Sequence, residues 1–200
     1  MRGYYFITDA QSSRAGNMSD VRSAVAAGVA VVQYRCKDGS SAALYAEAMA
    51  LKDICRGPLF VINDRVDIAL AVAAGGVHLG QDDLPLPVAR GLLGPQKIIG
   101  LTVHSVEEAR QAEVMGADYL GVSPIFATRT KPDAGRPAGI DLIRQIKAAV
   151  KLPLVAIGGI HLGNAAEVVG AGADCLCAIS AVISQQDVGA EIGKFQNLFR

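Results

Sequence analysis

Two segments in the second half of the chain read Met115-Gly116-Ala117-Asp118-Tyr119-Leu120 and Ala171-Gly172-Ala173-Asp174-Cys175-Leu176. In each, a glycine is followed by two small or acidic residues and then by an apolar run. Related segments begin at Ala27-Gly28 and at Ala74-Gly75. A glycine in this position is typical of a helix that ends in the left-handed conformation just before a strand. The repeat therefore predicts four junctions between a helix and a strand.

A second type of apolar run lies between these junctions. Proline introduces three such runs, at residues 58–62, 95–99 and 153–157, and residues 4–8 supply a fourth member. Proline cannot donate a ladder hydrogen bond, so it is tolerated at the start of a strand. Together with the four junctions, these runs predict eight strands.

The gaps between the predicted strands have the pattern of amphipathic helices. Apolar residues recur at helical spacing, namely Leu44, Ala48, Leu51 and Cys55 in one gap and Ile143, Ile146 and Val150 in another. A short polar residue followed by an acid three positions later marks a helix start, as in Ser105 with Glu108 and Asn164 with Glu167. We therefore predict an α/β fold, a (βα)8 TIM barrel with residues 1–200 as a single domain, since near-continuous apolar strands favour a parallel sheet. An open flavodoxin-like sheet is the alternative.

Composition limits the classes of partner. The 200 residues have a formal net charge of zero and are 51% hydrophobic, so no general basic surface attracts nucleic acid or an anionic membrane. The chain enters a strand directly after Met1, with no signal-peptide pattern, and no apolar run approaches the roughly 20 residues of a membrane span. We expect a cytoplasmic protein that binds neither nucleic acid nor membrane. The sequence leaves open whether it forms a homo-oligomer.

The four cysteines match no zinc-site spacing, and we interpret them as small buried hydrophobic residues. They are Cys36, Cys55, Cys175 and Cys177.

Polar residues follow the predicted strands at their carboxyl ends, which form the functional face of a TIM barrel. After the second strand, Gln33, Arg35 and Lys37 alternate along the chain and therefore point to one side, toward the barrel mouth. The other strands end in segments of the same kind, namely Asn63-Asp64-Arg65, Gln81-Asp82-Asp83, Thr102-Val103-His104, Gly158-Gly159 and Ile179-Ser180. Agreement among so many strand ends favours one shared site over separate turns and caps.

The loop after the sixth strand offers groups that grip phosphate. Thr128, Thr130 and Lys131 supply two hydroxyls and an ammonium within four residues, and both groups donate hydrogen bonds to phosphoryl oxygens. Taken alone, such a segment would be a polar surface turn. With the cations of the second strand and the bare backbone N–H groups after the seventh and eighth strands, it predicts an anion site.

Asp64 and Asp83 come from different strands, and their carboxylates could hold one hard cation. Mg²⁺ commonly takes one or two carboxylates together with waters and phosphate oxygens of the substrate. The sequence therefore predicts Mg²⁺ as a cofactor beside the anion site, with phosphorylated small molecules as substrates.

These residues resemble the motifs of the thiamine phosphate synthase family, in order and over nearly the whole chain. The matching segments are Gln33-x-Arg35-x-Lys37, Asn63-Asp64-Arg65-Val66-Asp67, Gly76-Val77-His78-Leu79-Gly80-Gln81-x-Asp83, Pro124-Ile125-Phe126-x-Thr128-x-Thr130-Lys131 and Ala156-Ile157-Gly158-Gly159-Ile160. The resemblance implies a transferase of thiamine biosynthesis. Its reaction would condense 4-amino-2-methyl-5-pyrimidinylmethyl diphosphate with thiazole phosphate, giving thiamine phosphate and diphosphate with Mg²⁺.

The resemblance also implies a role for each matching residue. The pyrimidine diphosphate would be bound by Gln33, Arg35, Lys37, Asn63 and Lys131, and the pyrimidine ring would meet Thr102. Thr128 and Thr130 would hold the thiazole phosphate with Gly159, Ile179 and Ser180, and Asp64 and Asp83 would hold the metal. Catalysis would rest on Mg²⁺ with Arg35, Lys37 and Lys131, because the leaving diphosphate needs charge neutralisation rather than a protein nucleophile. The chain departs from the family pattern at Ser123, Ala127 and Thr102.

Two alternative functions stay open. Relatives of the same fold tautomerise a thiazole carboxylate phosphate with a histidine in a segment like Thr102-Val103-His104-Ser105, so His104 could be an acid and base. A non-catalytic regulator that binds phosphate would need neither Asp64 nor Asp83. We expect His78 and His161 to have packing and turn roles.

Overall fold

Eight parallel strands close into a barrel in the order in which they occur along the chain. The structure, a computed structural model, describes residues 1–128, 130 and 135–200. The strands are β1 (Gly3–Ile7), β2 (Val31–Tyr34), β3 (Leu59–Asn63), β4 (Gly76–Leu79), β5 (Ile98–Val103), β6 (Tyr119–Val122), β7 (Leu154–Ile157) and β8 (Cys175–Cys177). The barrel closes where Gly3 and Tyr4 of β1 pair with β8, so the predicted TIM barrel is confirmed and the open sheet is wrong.

A helix follows each strand and covers the outside of the barrel. In the described residues the helices are α1 (Asn17–Ala26), α2 (Ser41–Ile54), α3 (Val66–Ala71), α4 (Leu86–Leu93), α5 (Val106–Val114), α6 (Gly139–Ala149), α7 (Leu162–Gly170), α8 (Ile179–Ile183) and α9 (Val188–Gln196), with a final 3-10 turn at Asn197–Phe199. The predicted apolar stripes lie on their buried faces, as Leu44 and Leu51 do on α2 and Ile143 and Ile146 do on α6. No helix in these parts of the chain is both long and apolar enough to cross a membrane.

The apolar core has two layers, because successive strand residues face opposite sides of the barrel wall. The larger layer lies between strands and helices and includes Phe6, Val32 and Leu120, each with no exposed surface. The smaller layer fills the barrel interior and consists of Tyr5, Ile7, Val31, Val61, Tyr119, Val155, Cys175 and Cys177. Three of the four cysteines are buried as predicted, but Cys36 is half-buried and its thiol donates to the Asp38 carbonyl.

Three of the four predicted junction glycines have the left-handed backbone expected of them, with φ of 76° at Gly28, 86° at Gly116 and 108° at Gly172. At the fourth junction the prediction is wrong, since Ala73 takes this conformation with φ of 49°. Gly75 has a different physical role there. A Cβ at this position would lie 2.4 Å from the Leu59 side chain, so glycine allows close packing of neighbouring strands.

One of the two predicted helix caps is confirmed and the other is wrong. The Ser105 hydroxyl accepts a hydrogen bond from Glu108 N at 3.1 Å, which caps α5. Helix α7, however, begins after His161, whose Nδ1 accepts from Gly163 N, while Asn164 Oδ1 accepts from His161 N. His161 therefore has the expected turn role, and Asn164 is the residue that completes the cap rather than the cap itself.

Candidate active site

A cavity of about 1150 Å³, counting the solvent in its open mouth, lies at the carboxyl ends of the strands. Its lining includes every predicted site residue that the structure describes, namely Gln33, Arg35, Lys37, Asn63, Asp64, Asp83, Thr102, Thr128, Thr130, Gly159, Ile179 and Ser180. Lys131 lies outside the described residues. The topology therefore brings together side chains that are spread over most of the chain.

The bottom of the cavity combines apolar walls with a few polar groups. Ile7, Val155, Ile157 and Cys177 line it, and the buried Gln33 side chain lies among them with only 2% of its surface exposed. An apolar pocket with few polar groups suits a flat heteroaromatic ring, because burial supplies affinity and the polar groups fix orientation.

Five polar side chains form a continuous chain of hydrogen bonds across this bottom. Gln33 Nε2 donates to the Tyr5 hydroxyl at 2.8 Å, and the Tyr5 and Tyr119 hydroxyls are 2.7 Å apart. The Tyr119 hydroxyl lies 2.9 Å from His78 Nδ1, and His78 Nε2 lies 2.9 Å from Thr102 Oγ1. The chain links two of the predicted ligand-binding residues, Gln33 and Thr102, through three residues between them.

Both tyrosines in this chain of hydrogen bonds keep their phenol protons. Burial raises the pKa of Tyr5 and that of Tyr119 well above the usual value near 10, since the low-dielectric interior disfavours the phenolate. The Tyr119 ring also stacks on the His78 ring, with centroids 5.4 Å apart. His78 thus has the expected packing role and, in addition, faces the cavity.

The two predicted metal ligands are adjacent at the rim. Asp64 has φ of 60°, a left-handed conformation that aspartate tolerates better than most residues. Its Oδ2 is in contact with Lys37 Nζ. Asp83 Oδ2 accepts a hydrogen bond from Gly80 N at 2.7 Å, which fixes the carboxyl in place.

The electrostatics of this pair suit a bound cation. The pKa of Asp83 is raised, mainly by desolvation and also by the neighbouring Asp64 carboxyl. Two carboxylates this close repel each other, and either a proton or a metal ion relieves the repulsion. The described residues contain no cluster of three or more His, Cys, Asp or Glu that could hold a metal. Two neighbouring carboxylates at the rim of a cavity fit the needs of Mg²⁺, which takes few protein ligands and completes its shell with water and phosphate oxygens.

Arg35 follows β2 directly and lines the cavity. Its Nη1 is 3.8 Å from Oδ2 of Asp9, a buried carboxyl that also accepts from Gln11 N and Ser12 N. Since Arg35 is only partly covered, it can still offer N–H groups to an anion in the cavity. Asp9 was not among the predicted site residues, and its role here is to hold the guanidinium and the loop after β1.

A second region of the rim consists of tightly packed loops after β6, β7 and β8. Gly158 and Gly159 have φ of 102° and 63°, and a Cβ at Gly159 would lie 2.5 Å from the Ala127 carbonyl. Glycine therefore lets the loop after β6 pack directly on the loop after β7. Next to them, the Thr130 hydroxyl donates to the Ser180 hydroxyl at 3.4 Å, so this loop also reaches the start of α8.

His104, the residue on which the tautomerase alternative depends, also lines the cavity. Its side chain is 47% exposed, and Nδ1 lies 3.2 Å from Oε2 of Glu108 on the first turn of α5. The same carboxyl oxygen accepts from His104 N at 2.7 Å. These contacts are those of a histidine held at a helix start.

Three members of the hydrogen-bond chain in the cavity were not predicted as site residues: Tyr5, Tyr119 and His78. Each lies within an apolar strand rather than after one, so its position along the chain indicates core packing. The available signal is that each of these side chains places a polar atom on the inward-facing side of a buried strand, where such an atom needs a hydrogen-bond partner.

Comparison with known proteins gives one consistent result. The family model described as "Thiamine monophosphate synthase" matches residues 4–182. A thiamine-phosphate synthase of Methanosarcina barkeri is 52% identical over 198 residues, which are 98% of this chain and 90% of the relative. A thiamine-phosphate synthase of Moorella thermoacetica is 51% identical, covering 94% of this chain and 90% of the relative.

A solved structure agrees with the sequence relatives. A thiamine phosphate pyrophosphorylase from Pyrococcus furiosus superposes with a TM-score of 0.90 at 40% sequence identity, and the match covers 98% of this chain and 94% of that one. Similarity over nearly the full length of both chains means that the barrel and the strand ends that line its mouth are shared together.

Proposed function

The chain belongs to the thiamine monophosphate synthase family, and we propose that its barrel mouth joins 4-amino-2-methyl-5-pyrimidinylmethyl diphosphate to thiazole phosphate. The enzyme is a transferase of thiamine biosynthesis. In the reaction, the carbon–oxygen bond to diphosphate breaks and a carbon–nitrogen bond to the thiazole ring forms. The products are thiamine phosphate and diphosphate.

The observation that carries the proposal is that different parts of one cavity hold different kinds of chemical group. Its bottom is apolar with a few hydrogen-bonding groups, one part of the rim holds cations and two aspartates, and another part holds hydroxyls and backbone N–H groups. The first part suits the pyrimidine ring, the second suits its diphosphate, and the third suits a second phosphate. A site for one phosphorylated ligand would not need both rim regions.

On this proposal, the diphosphate lies between Lys37, Arg35 and the two aspartates. Asp64 and Asp83 would hold Mg²⁺, which supplies positive charge to the phosphate oxygens of the leaving group. Arg35 and Lys37 neutralise the same charge as it develops, and Asn63 donates from the end of β3. Lys131 keeps its proposed catalytic role as a further cation.

The thiazole phosphate would bind on the opposite rim. The first N–H groups of α8, at Ile179 and Ser180, lack partners within the helix and would donate to this phosphate. Thr128, Thr130 and Gly159 would complete this cradle. Binding there fixes the thiazole nitrogen in line with the pyrimidinylmethyl carbon, and such positioning is the main task where no protein nucleophile is needed.

We also propose that the enzyme works in the cytoplasm, because its phosphorylated substrates are charged and do not cross a bilayer unaided. The formal net charge of zero supports the absence of a nucleic-acid partner. Light scattering of the purified protein measures whether it forms a homo-oligomer.

The direct test is diphosphate release by the purified protein. We expect release only when both organic substrates and Mg²⁺ are present, with thiamine phosphate formed in equal amount. Omission of either organic substrate or chelation of Mg²⁺ is the matched control. A protein that binds both phosphates but never releases diphosphate would overturn the proposal and favour a phosphate-binding regulator.

A further inference from the structure

With the Gln33 amide oriented as in the structure, the hydrogen-bond chain at the bottom of the cavity can run in only one direction if every proton is to have an acceptor. Gln33 Nε2 donates to the Tyr5 oxygen, and within the described part of the chain the other polar partner of Tyr5 is Tyr119. The Tyr5 proton must therefore go to the Tyr119 oxygen. If Tyr119 donated to Tyr5 instead, the Tyr5 proton would be buried without an acceptor, which is costly.

The same reasoning gives the direction of the remaining bonds, up to Thr102 at the far end of the hydrogen-bond chain. Because Tyr119 accepts from Tyr5, its own proton goes to His78 Nδ1, 2.9 Å away. An Nδ1 that accepts leaves the ring proton on Nε2, which donates to Thr102 Oγ1 at 2.9 Å. The Thr102 hydroxyl, having accepted this bond, directs its proton elsewhere.

We propose that Tyr5, Tyr119 and His78 are positioning residues that couple Gln33 to Thr102, so that these two residues always present opposite hydrogen-bonding groups to a ligand. In the direction that the structure has, Thr102 is a donor and the Gln33 carbonyl is an acceptor. An aminopyrimidine edge carries the complementary pair, a ring nitrogen that accepts and an amino group that donates. The part of this inference that concerns the ligand rests on the proposed function.

Two features of the structure make the chain rigid enough for this role. Tyr5 and Tyr119 are each about 1% exposed, and burial keeps both phenols protonated. The Tyr119 ring lies against Gly100 of the neighbouring strand, where a Cβ would come within 2.0 Å of Tyr119 Cζ. Glycine at this position provides the space that the ring occupies, and ring and chain are therefore held in one place.

The central test reads the tautomer of His78 by ¹⁵N NMR in the ligand-free protein, where the result does not depend on the proposed function. The sequence has three histidines, so His104→Asn and His161→Asn assign the signals. We expect wild-type His78 to be neutral with its proton on Nε2. A proton on Nδ1, a rapid mixture of tautomers or a charged ring would overturn the proposal.

The coupling is tested by a substitution at Gln33, at the end of the hydrogen-bond chain away from Thr102. At a pH where the infrared carboxylate band shows the Gln33→Glu side chain to be ionised, this group is an acceptor only, so Tyr5 should donate to it and every later bond should reverse. We expect the His78 proton to move from Nε2 to Nδ1, although the substitution does not touch the histidine. An unchanged His78 tautomer in this variant would contradict the coupling.

Tyr4→Phe is the matched control for the loss of a buried phenol. Tyr4 is as buried as Tyr5, but its hydroxyl donates to the Ala178 carbonyl at 3.0 Å and takes no part in the chain. The His78 signals should stay unchanged in this variant. A shift equal to that in Gln33→Glu would mean that the His78 ring responds to general loosening of the core, which would overturn the proposal.

Kinetics then tests the effect on the ligand. Tyr119→Phe breaks the chain while keeping the ring, and we expect the KM for the pyrimidinylmethyl diphosphate to rise about tenfold, the scale of one lost hydrogen bond. The KM for thiazole phosphate should stay within about twofold. Equal increases for both substrates would assign Tyr119 a merely structural role. A confirmed Nε2 tautomer in a protein without synthase activity would overturn the proposed function and leave the coupling intact.

Discussion

Along β6, Tyr119 and Leu120 are neighbours in the chain but face opposite sides of the barrel wall. Leu120 is fully buried in the layer between strands and helices, where its neighbours are apolar. Tyr119 is just as buried in the barrel interior, yet its hydroxyl has two hydrogen-bond partners, Tyr5 and His78. One step along a strand therefore separates a residue that stabilises the fold from one that faces the site.

The same contrast recurs on β2, where Val32 faces the helices and Gln33 faces the cavity. On the outer face a polar atom without a partner is costly, because water is excluded on all sides. The inner face opens to solvent at the carboxyl ends of the strands and can present polar groups to a ligand. Stability and function should therefore respond to different substitutions, even at adjacent positions.

The largest expected effect is a loss of stability on the outer face. Leu120→Ala should reduce the free energy of unfolding by about 2 to 5 kcal/mol, because the cavity left behind cannot collapse fully. Both KM values should stay unchanged as long as the protein remains folded. Urea unfolding followed by circular dichroism gives the first quantity. Leu92→Ala is the control, since Leu92 is 56% exposed and its truncation should cost less than about 1 kcal/mol.

A smaller effect of the opposite sign, a gain in stability, is expected from a substitution at Asp83 on the rim of the cavity. Its raised pKa means that the folded protein binds this proton more tightly than the unfolded chain. The resulting stability is present below the unfolded pKa near 3.8 and is lost as the pH rises through the raised folded pKa. At neutral pH without Mg²⁺ the charged carboxyl therefore destabilises the fold.

Asp83→Asn should consequently raise the melting temperature by a few degrees at about pH 7.5 in Mg²⁺-free buffer. The difference should shrink as the pH approaches 4, where wild-type Asp83 is itself becoming protonated. Differential scanning calorimetry at several pH values measures both. A lower melting temperature at neutral pH would mean that the carboxylate stabilises the fold through Lys37, and that repulsion by Asp64 is the lesser effect.

The smallest expected effect is at His104, although this residue lines the cavity. Its contacts are with Glu108 at the start of α5, and the condensation needs no acid or base at that position. His104→Asn should keep the condensation rate within about twofold. Removal of a thiazole tautomerisation activity by this substitution, in a protein whose wild type shows no condensation, would favour the tautomerase instead.

The outer face was predictable from the sequence because its signals are local. A strand of alternating or continuous apolar residues, a left-handed glycine and a helical stripe each extend over fewer than about 15 residues. The strand ends were predictable for a related reason. In a parallel barrel all carboxyl ends meet at one edge, so residues such as Gln33, Asp64 and Asp83 are brought together by topology alone.

The inner chain of hydrogen bonds could not be predicted because its signals are not local. Tyr5 and Tyr119 are 114 positions apart, and only the closed barrel places their hydroxyls together. Within its own strand each tyrosine has the pattern of a core residue. The wrong junction at Gly75 has a similar cause, since the requirement for glycine there comes from Leu59 on the neighbouring strand.

The central claim is that Asp64 and Asp83 on the cavity rim hold one shared Mg²⁺. A double-mutant cycle that measures the rate of diphosphate release tests this claim most directly. Asp64→Asn and Asp83→Asn should each lose about a hundredfold or more in rate, and asparagine suits the left-handed backbone of Asp64. The exposed neighbour Asp82 provides the control, and Asp82→Asn should leave the rate unchanged. We predict that the double substitution costs little more than the worse single one and that raised Mg²⁺ partly restores each single variant. Fully additive losses with no response to Mg²⁺ would contradict a shared metal.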